Sequence, residues 1–193
     1  MPSLRTVSQM SDVSLDTLQL DTPRLILRVP RLADLDSFAA LMADEETARF
    51  LGGVAPREMT WRFLMTMIGA WHATGISMFS VFEKATGRWV GRLGPWRPEG
   101  WPGAEVGWAI VRDCWGRGYA TEGAEATMAF AFDRLGWTDI IHSIAPDNRA
   151  SQQVARKLGS RNRGPGRLPP PFADAPVEIW GQTREEWRAR QRR

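Results

Sequence analysis

Most of the residues suited by type to chemistry fall in one stretch, Glu105-Val-Gly-Trp-Ala-Ile-Val-Arg-Asp-Cys-Trp-Gly-Arg-Gly-Tyr-Ala-Thr-Glu122. Glu105 is a carboxylate that could accept a proton from a reacting group. The later part, Trp115 to Thr121, could hold an anion on backbone alone. Glu105–Val111 alternates and is rich in β-branched and aromatic residues, as a strand does. From Ala120 to Leu135 small and apolar residues recur at Ala120, Ala124, Met128, Ala131 and Leu135, which is helical spacing. The first N–H groups of such a helix have no intrahelical partner and carry the positive end of its dipole. Gly116 and Gly118 have no Cβ, so a phosphate could approach those groups closely.

The spacing narrows the ligand. A dinucleotide loop needs a third glycine at position 121, where this chain has Thr121, and a P-loop needs Gly-Lys-Ser/Thr, but this stretch has no lysine. A second segment follows: Ile140–Ala145 reads as a strand, and Asn148 caps a helix that ends at Gly159. Together the two segments resemble the signature of the GNAT N-acetyltransferases. In that family a Gln/Arg-x-x-Gly-x-Gly/Ala loop between strand and helix precedes an Asn-x-x-Ala/Ser-x-x-x-Tyr helix. Here Trp115 stands where Gln or Arg is usual, Gly118 is the key glycine and Ala120 takes the last position. Asn148, Ser151 and Gly159 match, while Ala155 replaces the tyrosine and Ser160 the phenylalanine. The form Trp-Gly-Arg-Gly-Tyr-Ala-Thr-Glu is similar to the RimJ/RimL-like branch, the ribosomal-protein N-terminal acetyltransferases. The likeness spans roughly residues 21–182.

The resemblance implies acetyl-CoA as co-substrate and a primary amine, on a peptide N-terminus or a small molecule, as acceptor. It implies that Ile110 and Val111 pair with pantetheine. Trp115, Gly116, Arg117, Gly118, Tyr119, Ala120 and Thr121 would surround the pyrophosphate, and Asn148 and Ser151 would contact pantetheine. It implies Glu105 as the base and Ser151 as the hydrogen-bond donor to the coenzyme A sulfur, since Ala155 has no proton to give. The alternative is a non-catalytic acyl-CoA-binding module that has lost its acid. The acceptor pocket would lie between the loops Asp44–Pro56 and Arg161–Pro176. There Asp44, Glu45 and Glu46 either meet a cationic amine or serve the start of a helix turn, and Trp96 and Trp101 either wall the pocket or pack.

The rest of the chain must position these groups. Its 193 residues, 43% hydrophobic and 24% charged, suit one globular domain over residues 21–193, preceded by an uncommitted arm or loose strand over residues 1–20. No apolar run has membrane-span length, and the first twenty residues lack a signal-peptide plan. A lone cysteine, Cys114, suits a reducing cytoplasm, and with only two histidines a zinc site is not expected. The net charge is +3, yet the only lysines are Lys84 and Lys157. Arginine is spread among acids, an arrangement unlike a nucleic-acid stripe, although Arg161–Arg167 and Arg188–Arg193 are denser. A homodimer is compatible with this composition. Strands are expected at Arg24–Val29, Ile76–Glu83, Arg88–Trp96 and Val177–Gly181, and helices at Ala33–Ala43, Arg57–Ala73 and after Thr183. The expected class is α+β (mixed α/β). The GNAT resemblance adds a mostly antiparallel twisted sheet, splayed between its fourth and fifth strands, with helices on both faces.

Overall fold

The computed structural model describes residues 14–192. Most of the expected arm therefore lies outside the described residues. Its end, Gln19–Asp21, is a short edge strand, β1. The other strands are β2 (Leu25–Arg28), β3 (Phe79–Glu83), β4 (Trp89–Trp96), β5 (Glu105–Ile110), β6 (Asp139–Ile144), β7 (Arg161–Gly166) and β8 (Val177–Thr183). They form one sheet in the order β1-β2-β3-β4-β5-β6-β8-β7, in which only β5 and β6 run parallel. The mixed α/β architecture matches the expectation. The helices are α1 (Leu35–Ala43), α2 (Glu45–Ala48), α3 (Arg57–Thr74), α4 (Tyr119–Asp133), α5 (Arg149–Lys157) and α6 (Arg184–Gln191).

Alternation along the strands divides the core into two layers. Leu25, Leu27, Phe79, Val81, Leu93, Val106 and Ile110 face α4 and pack on Ala124, Met128 and Ala131. Helix α4 sits close to the sheet because Gly123 has no side chain: a Cβ there would lie 2.5 Å from a Leu93 methyl carbon. The opposite face packs Ala109 and Met78 against Phe38, Met42, Leu64 and Met67 of α1 and α3. On that face buried Asp34 takes both terminal nitrogens of Arg28, at 2.6 and 3.0 Å, the Ser80 hydroxyl at 2.7 Å and the Arg31 amide at 2.9 Å. Asp34→Ala should cost about 3–5 kcal/mol in chemical denaturation, because it strands a half-buried guanidinium.

Two expectations are corrected. The segment Ile76–Met78 is not in β3: Trp71 of α3 donates its indole N–H to the Met78 carbonyl, so this carbonyl is already used outside the sheet. Arg161–Gly166, read as part of a loop, is the edge strand β7 on β8, held by the bidentate pair Arg163–Asp139 at 2.7 and 2.8 Å. On α3, Trp61 points outward and is 46% exposed, while Thr60, Leu64, Met67 and Trp71 are buried. The arginine-dense segments are largely matched by acids, with Arg190 on Glu125 and Arg188 near Asp133. No described helix is long and apolar enough to cross a membrane.

Candidate active site

The sheet opens where the two candidate motifs meet. The Ile141 amide donates to the Ala104 carbonyl at 2.9 Å, Glu105 pairs with Ile141, and no further rung joins β5 to β6. Successive residues of a strand turn their polar backbone groups to opposite edges. Since the Val111 amide donates to the Val90 carbonyl on β4, those of Val106, Trp108 and Ile110 face the gap. Two of these carbonyls are already engaged. His142 Nδ1 lies 2.7 Å from the Val106 carbonyl, and the Trp115 indole donates to the Ile110 carbonyl at 2.7 Å. Both polar groups of Trp108 and the amide of Ile110 have no backbone partner among the described residues.

Glu105 stands on the last rung before the gap and is 7% exposed. Its Oε2 accepts from the Trp101 indole at 2.6 Å and the Ser143 hydroxyl at 2.7 Å. Neither donor engages Oε1. Gly107 leaves that oxygen accessible, since a Cβ there would come within 3.1 Å of it. Burial raises the Glu105 pKa above the usual carboxylate value, against the hydrogen bonds from Ser143 and Trp101 and the positive charge of Arg92. A carboxylate tuned upward in this way is a stronger base than one in water. It lines a cleft of about 680 Å³ that runs from the gap to Phe50, Phe63 and Phe172. Trp96 and Trp101 wall the cleft. At its rim Arg49 of the α2–α3 connection meets Asp147 of the β6–α5 loop at 2.9 Å. Asp44 instead caps α2, accepting from the Thr47 amide at 2.9 Å, and Glu45 and Glu46 are exposed in its first turn; none of the three lines the cleft.

The glycine loop leads from β5 into the start of α4. Gly116 and Gly118 have φ of 74° and 82°, and Gly118 caps α4. The amides of residues 116–121 have no protein partner among the described residues, and free amides at a helix start are groups an anion could use. Two residues that sequence reading left without a role tie this loop down. Arg24 donates to the Arg117 carbonyl at 2.8 Å and to Glu122 at 2.6 Å, and Glu122 also accepts from Thr22 at 2.6 Å. Tyr119 is buried and its hydroxyl donates to Glu83, so its side chain packs and only its amide is left free.

On α5, the Asn148 side chain accepts from the Ser151 amide at 3.0 Å and caps the helix. The Ser151 hydroxyl accepts from the Trp108 indole at 3.2 Å, which places it beside the gap. Ala155 is fully buried against Ile144, Trp180 and Trp108. A tyrosine at 155 has no room there because indoles fill the space. Ala155→Tyr should therefore destabilise by about 1–3 kcal/mol, read as a lowered denaturation midpoint, and should not add an acid to the site.

The sequence matches the acetyltransferase (GNAT) domain over residues 24–161. This chain belongs to the GNAT acetyltransferase family. The acetyltransferase is 28% identical over 144 residues to the uncharacterized protein YkkB of Bacillus subtilis (strain 168), covering 73% of this chain and 84% of that one. It is 24% identical over 148 residues to the uncharacterized N-acetyltransferase YoaA of the same organism, covering 75% and 84%. Among solved structures, an acetyltransferase from Agrobacterium tumefaciens str. C58 superposes with a TM-score of 0.76 at 26% identity, covering 90% of this chain and 98% of that one. The ribosomal-protein-S5-alanine acetyltransferase from Vibrio fischeri shares the fold, with a TM-score of 0.71 at 16% identity over 88% and 98% of the two chains.

The acetyltransferase fold thus brings Glu105, Trp108, Ile110 and Ser151 to one gap and sets the loop that begins at Trp115 beside it. Sequence reading missed Arg92, His142 and Ser143, which reach the cleft from strand positions outside the motif residues. Among the described residues no group of three or more His, Cys, Asp or Glu side chains could hold a metal ion.

Proposed function

We propose that this acetyltransferase transfers the acetyl group of acetyl-CoA directly to a primary amine held in the cleft, within one ternary complex. The observation that carries the reading is Glu105. It is a buried, basic carboxylate at the root of a gap whose free backbone groups suit an extended pantetheine. Acetyl-CoA supplies an activated thioester. Its diphosphate suits the Gly116–Thr121 amides, and its pantetheine suits the exposed edge of Trp108 and Ile110. Trp108 and Ile110 take the part that the family likeness implied for Ile110 and Val111, because the Val111 amide is already spent on β4.

An amine attacks only when neutral, and an alkyl ammonium has a pKa near 10. Glu105 Oε1 takes that proton, directly or through one water, and the freed nitrogen lone pair then forms the C–N bond; the second proton that the nitrogen sheds after attack passes to solvent. The Trp108 amide donates to the carbonyl oxygen as it becomes negative. As the C–S bond breaks, the sulfur leaves with the electron pair and the Ser151 hydroxyl donates a hydrogen bond to it. Solvent completes the protonation, which a thiol with pKa near 8.5 allows.

Thr121→Glu tests the cradle. Thr121 is in the first turn of α4, where an acidic side chain favours the helix. The variant should keep its melting temperature and bind coenzyme A at least about tenfold more weakly by calorimetry, because the added charge opposes the diphosphate. Unchanged affinity would remove the cradle assignment. A coenzyme A release assay over an amine panel decides between transfer and mere binding of acyl-CoA.

A further inference from the structure

Arg92 lies on the cleft side of β4, the same face as Glu105, Gly107 and Ala109. Its surroundings are unusual for an arginine. No carboxylate among the described residues lies within 4.0 Å of it, and Nε is buried without a hydrogen-bond partner. Its one hydrogen-bonding contact is from Nη1 to the thioether sulfur of Met78, a weak acceptor, and its guanidinium carbon lies 5.5 Å from the centre of the Phe38 ring. The other buried carboxylate of this face, Asp34, is saturated by Arg28, Ser80 and the Arg31 amide. Glu105 acts on this partly buried cation only from beyond ion-pair distance, and a cation with no contacting anion favours a ligand that brings one. Desolvation lowers the Arg92 pKa to about 10, which leaves it charged at neutral pH.

Between the two ionic side chains the strands carry only Gly94 and Gly107, and the flexible Met78 thioether lies over Gly107: a Cβ there would come within 2.9 Å of its methyl carbon and 3.1 Å of Glu105 Oε1. Ala109, opposite Arg92, and Glu105 are four residues apart on β5, about 13 Å at the rise of a strand. Long side chains at both ends shorten that span to the length of a small molecule. The walls are apolar: Phe38, Met67, Met78, Trp96, Trp101 and Phe172.

From this arrangement we infer that the acceptor is a small aromatic or apolar amine bearing a carboxylate, with its amine at Glu105 and its carboxylate on Arg92. This rests on the transfer reading above for the role of Glu105, but the anion subsite can be measured without turnover. Titration calorimetry would compare 3-phenylpropanoate with its neutral isostere 3-phenylpropanamide. The wild type should bind the acid about 10- to 100-fold more tightly, the range of a charge-assisted pair. Arg92→Gln should abolish that preference, and Arg92→Lys should keep part of it should the glutamine variant fail to fold. Equal binding of acid and amide to the wild type, or a preference surviving in a folded Arg92→Gln protein, overturns the proposal.

A kinetic arm pairs 4-(aminomethyl)benzoate with benzylamine, and phenylalanine with phenethylamine. The carboxylate-bearing member of at least one pair should have the higher kcat/KM, and Arg92→Gln should remove the advantage by raising KM. If Arg92 served only to keep Glu105 ionised, both members of each pair would lose equally and the pH–rate profile would shift. That result overturns the subsite. Acid-selective binding with no coenzyme A release from any amine leaves the subsite standing and removes the transfer reading. Release from neutral amines with no acid preference does the reverse.

Discussion

Glu105→Gln should lower kcat by about 100-fold or more while leaving coenzyme A affinity within twofold, since one positioned acid–base group contributes about 10²–10⁴. The substitution keeps the shape of the side chain, and one amide oxygen can still accept from Trp101 and Ser143. The deficit should shrink as pH rises and the amine loses its proton unaided. For the wild type, kcat/KM should rise with pH through a pKa above the ordinary carboxylate value, because burial raises that of Glu105. An unaltered pH–rate profile in the variant would assign Glu105 to structure. The same change should raise the melting temperature at neutral pH. A carboxyl whose folded pKa exceeds its unfolded one contributes most below the unfolded value and loses that contribution as pH rises through the folded one. Removing the charge removes the loss.

Acid should weaken the fold through His142. This ring is 1% exposed, and burial lowers its pKa from 6.5 to about 4. At neutral pH it is uncharged, and its surroundings select the tautomer. Gln182 Nε2 donates to the Ser160 hydroxyl at 2.9 Å, the hydroxyl donates to His142 Nε2 at 2.9 Å, and Nδ1–H donates to the Val106 carbonyl. Between pH 6.5 and about 4 the unfolded chain binds a proton that the folded one refuses. Stability therefore falls as pH falls through that window, by about 3 kcal/mol over its full width. The slope of Glu105 runs the opposite way over part of this range and masks some of it. Denaturant titrations should accordingly show a steeper acid loss in Glu105→Gln than in the wild type, and a shallower one in His142→Gln. If His142→Gln leaves the acid slope unchanged, the histidine is not the titrating group. Protonation adds a proton at Nε2, which faces the Ser160 hydroxyl, so the Ser160–Gln182 side of the ring must rearrange while the Nδ1–H bond to the Val106 carbonyl persists.

Local grammar was enough for most of the elements, β7 excepted. Alternation marked β5, spacing marked α4, and Asn148 and Thr183 marked the starts of α5 and α6, because strands, helices and caps depend on residues close in sequence. The glycine loop was legible for the same reason: its run of unpartnered amides belongs to six consecutive residues. What the sequence did not show depends on pairing between distant strands. Arg92 stood unremarked among many arginines, and His142 was one of two histidines without a motif. Only the β4–β5 register sets Arg92 on the face of Glu105, and only the parting of β5 from β6 turns His142 toward Val106. The buried state of Ala155 was equally hidden. Whether a helix position faces a ligand or a wall of indoles is decided by what folds against it, and here Trp108 and Trp180 occupy that space.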